Sequence, residues 1–210
     1  MDWSAPRRPV IKPAGFIEPC NPTVSQRPPS GPQWIHEIKH DGFRLIARRA
    51  AHHVRLFTRR GYDWTSRYPL ITDALRSLKV RSVTIDGEAV CCDEDGIPNF
   101  KKLHARTHDP QVFLYAFDLL ELDGVDYRTL PLERRKAKLR NLVARTQGMH
   151  FVEHLDGDGA IVFEHACKLG LEGIVSKRRD LPYASGRSKS WLKIKNPASP
   201  AMLRLEEETT

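Results

Sequence analysis

No run of apolar residues in this chain approaches the roughly twenty needed to cross a bilayer as a helix. The first residues carry proline and arginine and lack the apolar core of a secretory signal. Cysteine is scarce: Cys20, Cys91, Cys92 and Cys167 form no CxxC pair, so neither a disulfide framework nor a thiolate zinc site is encoded. All four read as reduced thiols, with Cys91 or Cys92 turned toward the core. These absences point to the cytoplasm. There is no internal repeat and no sustained strand–helix alternation, which excludes solenoids and doubly wound parallel sheets. Acidic residues are the minority charge, 26 against 34 Lys and Arg, giving a net charge of +8 and a pI near 9.5. That surplus suits a polyanionic partner, whether nucleotide, nucleic acid or anionic surface, because lysine and arginine displace counterions from phosphates.

What is present describes a soluble globular protein: 40% of the 210 residues are apolar and 29% charged, enough to bury a core. Residues 1–33 are proline-rich and read as an irregular segment lying along a domain that spans 34–197; a small charged tail occupies 198–210. Within the domain, 43–49, 54–59, 82–91, 112–120, 173–177 and 191–195 have strand character. Helical spacing marks 67–80, 132–145 and 161–169, the last closed by Gly170 as a C-terminal cap. In the second helix Leu132, Leu139, Leu142 and Val143 form the apolar face, with basic residues opposite. Strands in hairpin-like pairs with helices between them predict an α+β fold of antiparallel sheets with flanking helices.

The stretch from Glu37 to Leu45 sets a lysine, Lys39, before an Asp41-Gly42 dipeptide, with apolar runs on both sides. This predicts a tight corner between two strands, with glycine supplying positive φ. Either the corner is an ordinary hairpin with a solvated lysine, or the amine is placed for chemistry. Four later stretches also set polar groups inside apolar strands. In 83–90, Glu88 is either part of a turn or an inward carboxylate for a ribose or a metal. In 113–120, periodicity puts Phe113, Tyr115 and Phe117 on one face, as core or against a base. In 172–177, Glu172 and Lys177 end an apolar strand and are costly to bury unpaired, so they are exposed or meet an oppositely charged ligand. In 191–195, Lys193 and Lys195 share a face that needs an anion or solvent. Residues 183–189, within a basic stretch, read as a mobile loop over a cleft or a solvated connection.

Taken in order, these segments resemble the nucleotidyltransferase motifs of ATP-dependent DNA ligases and their mRNA-capping relatives. Lys39-His40-Asp41-Gly42-Phe43-Arg44 is similar to the KxDGxR signature, and Thr58 to Thr65 to the second conserved stretch. Asp86-Gly87-Glu88, Tyr115 to Asp118, Glu172 to Lys177 and Lys193-Ile194-Lys195 resemble the remainder. The wording is nearest to the ligase domain of bacterial multifunctional end-joining ligases and small stand-alone ligases, over about Pro19 to Asn196. The resemblance implies two twisted antiparallel sheets with a nucleotide cleft between them. It implies that Lys39 attacks the α-phosphate of ATP to form lysyl-AMP, with Mg²⁺ or Mn²⁺ as the metal. Phe117 and Val175 would sandwich adenine, and Glu37 and Ile38 would contact it, largely through the backbone. Arg44 and Arg59 would hold ribose or phosphate, Glu88 the ribose or the metal, and Glu172 the metal. Lys193 and Lys195 would face the phosphate. They and the metal would lower the lysine from its reference pKa of about 10.4 by repulsion.

The substrate implied is nicked or broken double-stranded DNA, sealed in repair or end joining. Ligases of this family continue into an OB-fold domain, and the sequence given ends at Thr210, soon after Lys195. A partner protein in place of that domain is therefore among the expectations, as is weak self-adenylation. Adenylation of RNA ends, or a non-catalytic nucleotide- or nick-binding protein, are the alternatives the residues leave open.

Overall fold

A computed structural model of the chain describes residues 12–94, 96 and 98–202. The outer parts of the proline-rich segment, 1–11, and of the charged tail, 203–210, lie outside the described residues. The fold is α+β, two sheets with helices against their outer faces. The first sheet has the order β1 (Cys20–Val24), β10 (Gly186–Lys195), β9 (Gly173–Arg178), β2 (Trp34–Ile38). The second runs β4 (His53–Thr58), β3 (Phe43–Ala50), β5 (Ser82–Val90), β6 (Phe113–Leu122), β7 (Val125–Asp126), with β8 (Met149–Phe151) paired to β6. Most pairs are antiparallel, as expected; β1 with β10 and β6 with β8 are parallel.

Three apolar clusters hold these layers. One packs the second sheet against α1 (Pro69–Ser77) and α3 (Leu132–Val143), through Leu45, Leu56, Ile71, Leu75, Ile85 and Leu139 among others. A second lies between the sheets and draws Cys20, Ile35 and Trp191 from the first and Ile46, Phe57 and Phe117 from the second. The third seats α4 (Gly159–Lys168) on the first sheet through Val162, Ala166, Ile174 and Ile194. Burial of this apolar surface, at about 25 cal/mol per Å², is what fixes the sheets face to face. Cys91 is in the first cluster, and all four thiols are free.

Several expectations are corrected. Lys39 and Gly42 do not turn a hairpin: β2 pairs with β9 and β3 with β4 and β5, so the connection carries the chain from one sheet to the other. Gly42 is not among the glycines with positive φ. Its requirement is close approach, since a Cβ there would run into the Ala89 carbonyl oxygen and lie 3.0 Å from Glu88 Cγ. The proline-rich segment supplies β1, which pairs with β10 from Cys20↔Gly186 to Val24↔Lys193, with a shift of register between Pro22 and Thr23. Within the stretch 183–189, residues 186–189 belong to a strand, while Ala184, Ser185, Arg187 and Lys189 are exposed. Tyr183 is buried and Gly186 opens β10. A short helix, α2 (Phe100–Ala105), capped by the Asn99 side chain, has too few periodic residues to be visible in sequence.

Helix α1 begins with Pro69 at its first turn and stops at Ser77, short of the expected 80, because Leu78 is extended. The Arg49 guanidinium caps its end, donating to the carbonyls of Leu75, Arg76 and Leu78. Helix α4 ends as expected, with Gly170 at φ +68° one residue beyond its cap. In α3 the basic residues are not all on the outer face: Arg135 and Lys136 are 0% and 1% exposed and share the inward stripe with Leu132, Leu139 and Val143. Their spacing is helical; only their charge disguised the face.

Candidate active site

The sheets leave a cleft between them. Glu37 and Ile38 reach it from β2, Lys39 from the crossing segment, Arg44 from β3, and Arg59 from just after β4. Glu88 reaches it from β5, Phe117 from β6, Val175 from β9 and Lys193 from β10. One concave site thus collects these residues from both sheets. Glu172 and Lys195 stand beside it rather than in its lining. Phe117 is the extra residue of a bulge, because Asp86 faces Asp118 and Gly87 faces Ala116.

Lys39 is fixed at both ends. Its backbone N–H donates to the Gly173 carbonyl at 3.0 Å, and its Nζ donates to Glu172 Oε1. Glu172 Oε2 is buried with no hydrogen-bond partner among the described residues. Burial pushes the Glu172 carboxyl up, and the Lys39 ammonium pulls it back only in part. Burial also pushes the Glu88 carboxyl up to about 7, against the pull of Arg44 and Lys39. Lys193 is pushed down by burial and then by Lys195, Lys39 and Arg59, so four cations gather at one end of the cleft.

Arg44 is held from below. Its Nε and Nη2 donate to Asp86 at 2.5 and 2.7 Å, and its guanidinium lies 4.5 Å from the Phe117 ring centre. Tyr183 Oη donates to the same aspartate at 2.6 Å and accepts from the Cys20 backbone N–H at 2.7 Å. One buried carboxylate thereby ties β1, β3, β5 and the segment before β10 together. In the sequence Asp86 stands out only as the first residue of the Asp86-Gly87-Glu88 motif, with no role of its own.

The cleft floor is ionic. Glu37, 3% exposed, accepts from Lys136 Nζ at 2.6 Å and from Lys177 Nζ at 2.5 Å. Burial opposes the charged carboxylate, but the two ammoniums outweigh it and hold Glu37 below its ordinary value. Lys177 also lies 4.3 and 4.0 Å from the ring centres of Phe117 and Trp191. Glu172 and Lys177 are thus not left unpaired: each meets a charge of the protein itself, Glu172 through one of its two oxygens. Behind this floor Asp118 receives a two-pronged bond from Arg135, at 2.7 and 2.8 Å. Lys136 and Trp191 were not singled out as site residues, Lys177 only as a charge ending a strand, and His40 only as part of the lysine motif. For Lys136 the signal was available in the helical spacing 132–135–136–139. His40 stacks on Tyr115 at 3.9 Å with rings 10° from parallel, and burial lowers its imidazole to about 4.

Whether the site suits a divalent cation follows from its donors. Among the described residues no three or more His, Cys, Asp or Glu side chains gather as a metal cage. Glu172, with an orphaned buried oxygen, and Glu88, a carboxyl at the cleft, suit Mg²⁺, which is ordinarily held by one or two carboxylates together with substrate phosphates.

Comparison with known proteins agrees with this geometry. A family model described as "ATP dependent DNA ligase domain" matches residues 21–195. The multifunctional non-homologous end joining protein LigD of Pseudomonas aeruginosa is 38% identical over 185 residues, 86% of this chain and 22% of that protein. The SPbeta prophage-derived DNA ligase-like protein LigB of Bacillus subtilis is 30% identical over 187 residues, 86% of this chain and 68% of that one. The crystal structure of the ligase domain of M. tuberculosis LigD superposes with a TM-score of 0.74 at 36% identity, covering 84% of this chain and 60% of that one. The chain spans about a fifth of the length of the LigD proteins it matches. It belongs to the ATP-dependent DNA ligase family, whose domain it matches over residues 21–195.

Proposed function

We propose that this domain is the nucleotidyltransferase of a DNA ligase, taking AMP from ATP onto Lys39 and passing it to the 5′-phosphate of nicked or broken double-stranded DNA. The observation that carries the reading is the amine of Lys39 anchored by Glu172 beside a cleft where Arg59, Lys193 and Lys195 gather. In the first step the lysine nitrogen, having lost a proton, bonds to the α-phosphorus, and the bond to the bridging oxygen breaks to release pyrophosphate. The cations around Lys193 offset the negative charge that develops there. The DNA 5′-phosphate then displaces Lys39 from the adenylate, and a 3′-hydroxyl displaces AMP to close the strand.

In this reading Phe117 and Val175 sandwich adenine, Glu37 and Ile38 meet its edge, and Arg59 holds phosphate. Arg44, whose Nε and Nη2 are engaged by Asp86, lines the ribose side. Glu88 and Glu172 would hold Mg²⁺ or Mn²⁺, which would supply further neutralisation of phosphate charge. The DNA acceptor is supported by the family and by the net charge of +8. The experiment is intact-protein mass before and after incubation with ATP and either metal. A gain of one AMP, absent in Lys39→Ala, is expected. A folded protein that gains nothing, or a Lys39→Ala variant that still gains AMP, refutes the assignment.

A further inference from the structure

Lys136 is a fully buried lysine that does not line the cleft, yet it touches a residue that does. It projects from α3, 1% exposed, and donates to Glu37 Oε1 at 2.6 Å and to the Val152 carbonyl at 2.8 Å. A lysine this deep carries a large desolvation penalty and a loss of side-chain freedom. A methionine would fill the same space without the desolvation penalty. Its partner Glu37 is on the cleft floor beside Phe117, Lys177 and Val152.

A carboxylate is an acceptor on both oxygens, with about two lone-pair directions on each. Lys136 occupies one direction on Oε1, and Lys177 one on Oε2. Held from two sides, the carboxylate cannot rotate, and its remaining lone pairs keep a fixed direction. Lys177 alone would not achieve this. It is itself on the cleft wall, and a carboxylate tethered only to it could turn about that single contact.

We propose that Lys136 is a positioning residue for nucleobase selection, locking the Glu37 carboxylate as an acceptor for the exocyclic amine of a 6-aminopurine. A 6-oxopurine presents a carbonyl oxygen at the same place, acceptor against acceptor, and is disfavoured. This inference rests on the nucleotidyltransferase reading for the placing of the base, but it assigns selectivity to a side chain outside the cleft. The lowered Glu37 carboxyl is consistent with an acceptor kept charged throughout the pH range of a cell.

The test uses mononucleotides, which bind but cannot react. Affinities of AMP, purine riboside 5′-monophosphate and IMP are measured by calorimetry for the wild type, Lys136→Met and Lys136→Arg, with melting curves to confirm folding. The wild type is expected to prefer AMP over the purine riboside nucleotide by about tenfold, or ~1.4 kcal/mol, with IMP weaker still. In Lys136→Met that preference falls to about twofold while affinity for the purine riboside nucleotide, which has no 6-substituent, changes by less than about twofold. Lys136→Arg, restoring the cation, brings the preference back in part, and it decides the matter should the methionine variant not fold. Equal loss for both nucleotides would make Lys136 merely structural and overturn the proposal. A preference unchanged in both variants, or absent in the wild type, would do the same. Failure of the nucleotidyltransferase reading looks different: no AMP adduct from ATP, with the mononucleotide preference intact.

Discussion

Replacing Gly42 with alanine tests the idea that this glycine is required for space and not for backbone freedom. The new Cβ would collide with the Ala89 carbonyl oxygen on β5 and sit 3.0 Å from Glu88 Cγ and 3.1 Å from Val90 Cγ2. Backbone on one side and two packed side chains on the others leave no flexible end to yield. Relief requires the start of β3 to lift from β5 by ~1 Å, the scale of backbone shift that over-packing produces at a cost of about 1–3 kcal/mol. The Phe43↔Ala89 pairing is next in line, and loss of a ladder hydrogen bond adds about 1 kcal/mol. A total near ~3 kcal/mol is expected in urea unfolding, read as a lower midpoint with unchanged slope. The same lift displaces Lys39, three residues earlier, and a misplacement of ~1 Å at a reacting group lowers rate by about 10²-fold. Adenylation followed by intact mass should therefore slow by that order even where the variant remains folded. A Gly42→Ala protein within about 0.5 kcal/mol of wild type and adenylating at the normal rate would refute the close-approach argument.

Two further outcomes follow from the buried charges. Arg135→Met leaves Asp118 buried without its partner and should cost about 3–5 kcal/mol in denaturant unfolding; adding Asp118→Leu should recover most of it, because an apolar pair needs no compensation. Recovery of nothing would mean that Arg135 acts through its carbonyl contacts, to Leu130 and Leu181. The second concerns pH. Burial lowers His36, His154 and His40, the last to about 4, so between that value and 6.5 the unfolded chain binds more protons than the folded one. These groups make stability rise with pH across that window and fall as acid is added. Glu88 and Glu172, raised by burial, act in the opposite sense, so the comparison is between variants at each pH. His40→Phe keeps a ring against Tyr115 and should lose roughly 2 kcal/mol less than wild type on going from pH 6.5 to 4, allowing for partial exposure. Parallel stability–pH curves for the two proteins would show that His40 does not titrate in this way.

The fold class and most strands were legible because alternation and turn chemistry speak for themselves. The cleft was legible only through motif order. What stayed hidden was charge placed inside. Helix α3 has an inward face by spacing, but two of its members are Arg135 and Lys136, and hydropathy assigned them to water. Their counter-ions, Asp118 and Glu37, are 17 and 99 residues away, a separation that no local window reports. The same reason explains Asp86, whose role is set by Arg44, 42 residues earlier, and Tyr183, 97 residues later. Strand β1 escaped notice because its proline content argues for irregular chain, and a partner 165 residues away overrides that preference, as the Thr23 bond to the Ser188 carbonyl illustrates.

The parallel pairing of β1 with β10 also decides how the domain responds to tension. A load passed along the polypeptide enters at Cys20, where β1 begins, and leaves at Lys195, where β10 ends. Because the two strands run the same way, those points lie at opposite ends of the pair, and the force slides one strand along the other rather than peeling them apart. All the bridging bonds between Cys20 and Val24 then bear the pull together. Lys193 sits opposite Val24 at the far end of this clamp, so the contacts that hold this cleft-lining lysine in place are among those that share the load. A domain loaded along its chain would keep the walls of the cleft in place up to the force that shears the clamp, and lose them all at once beyond.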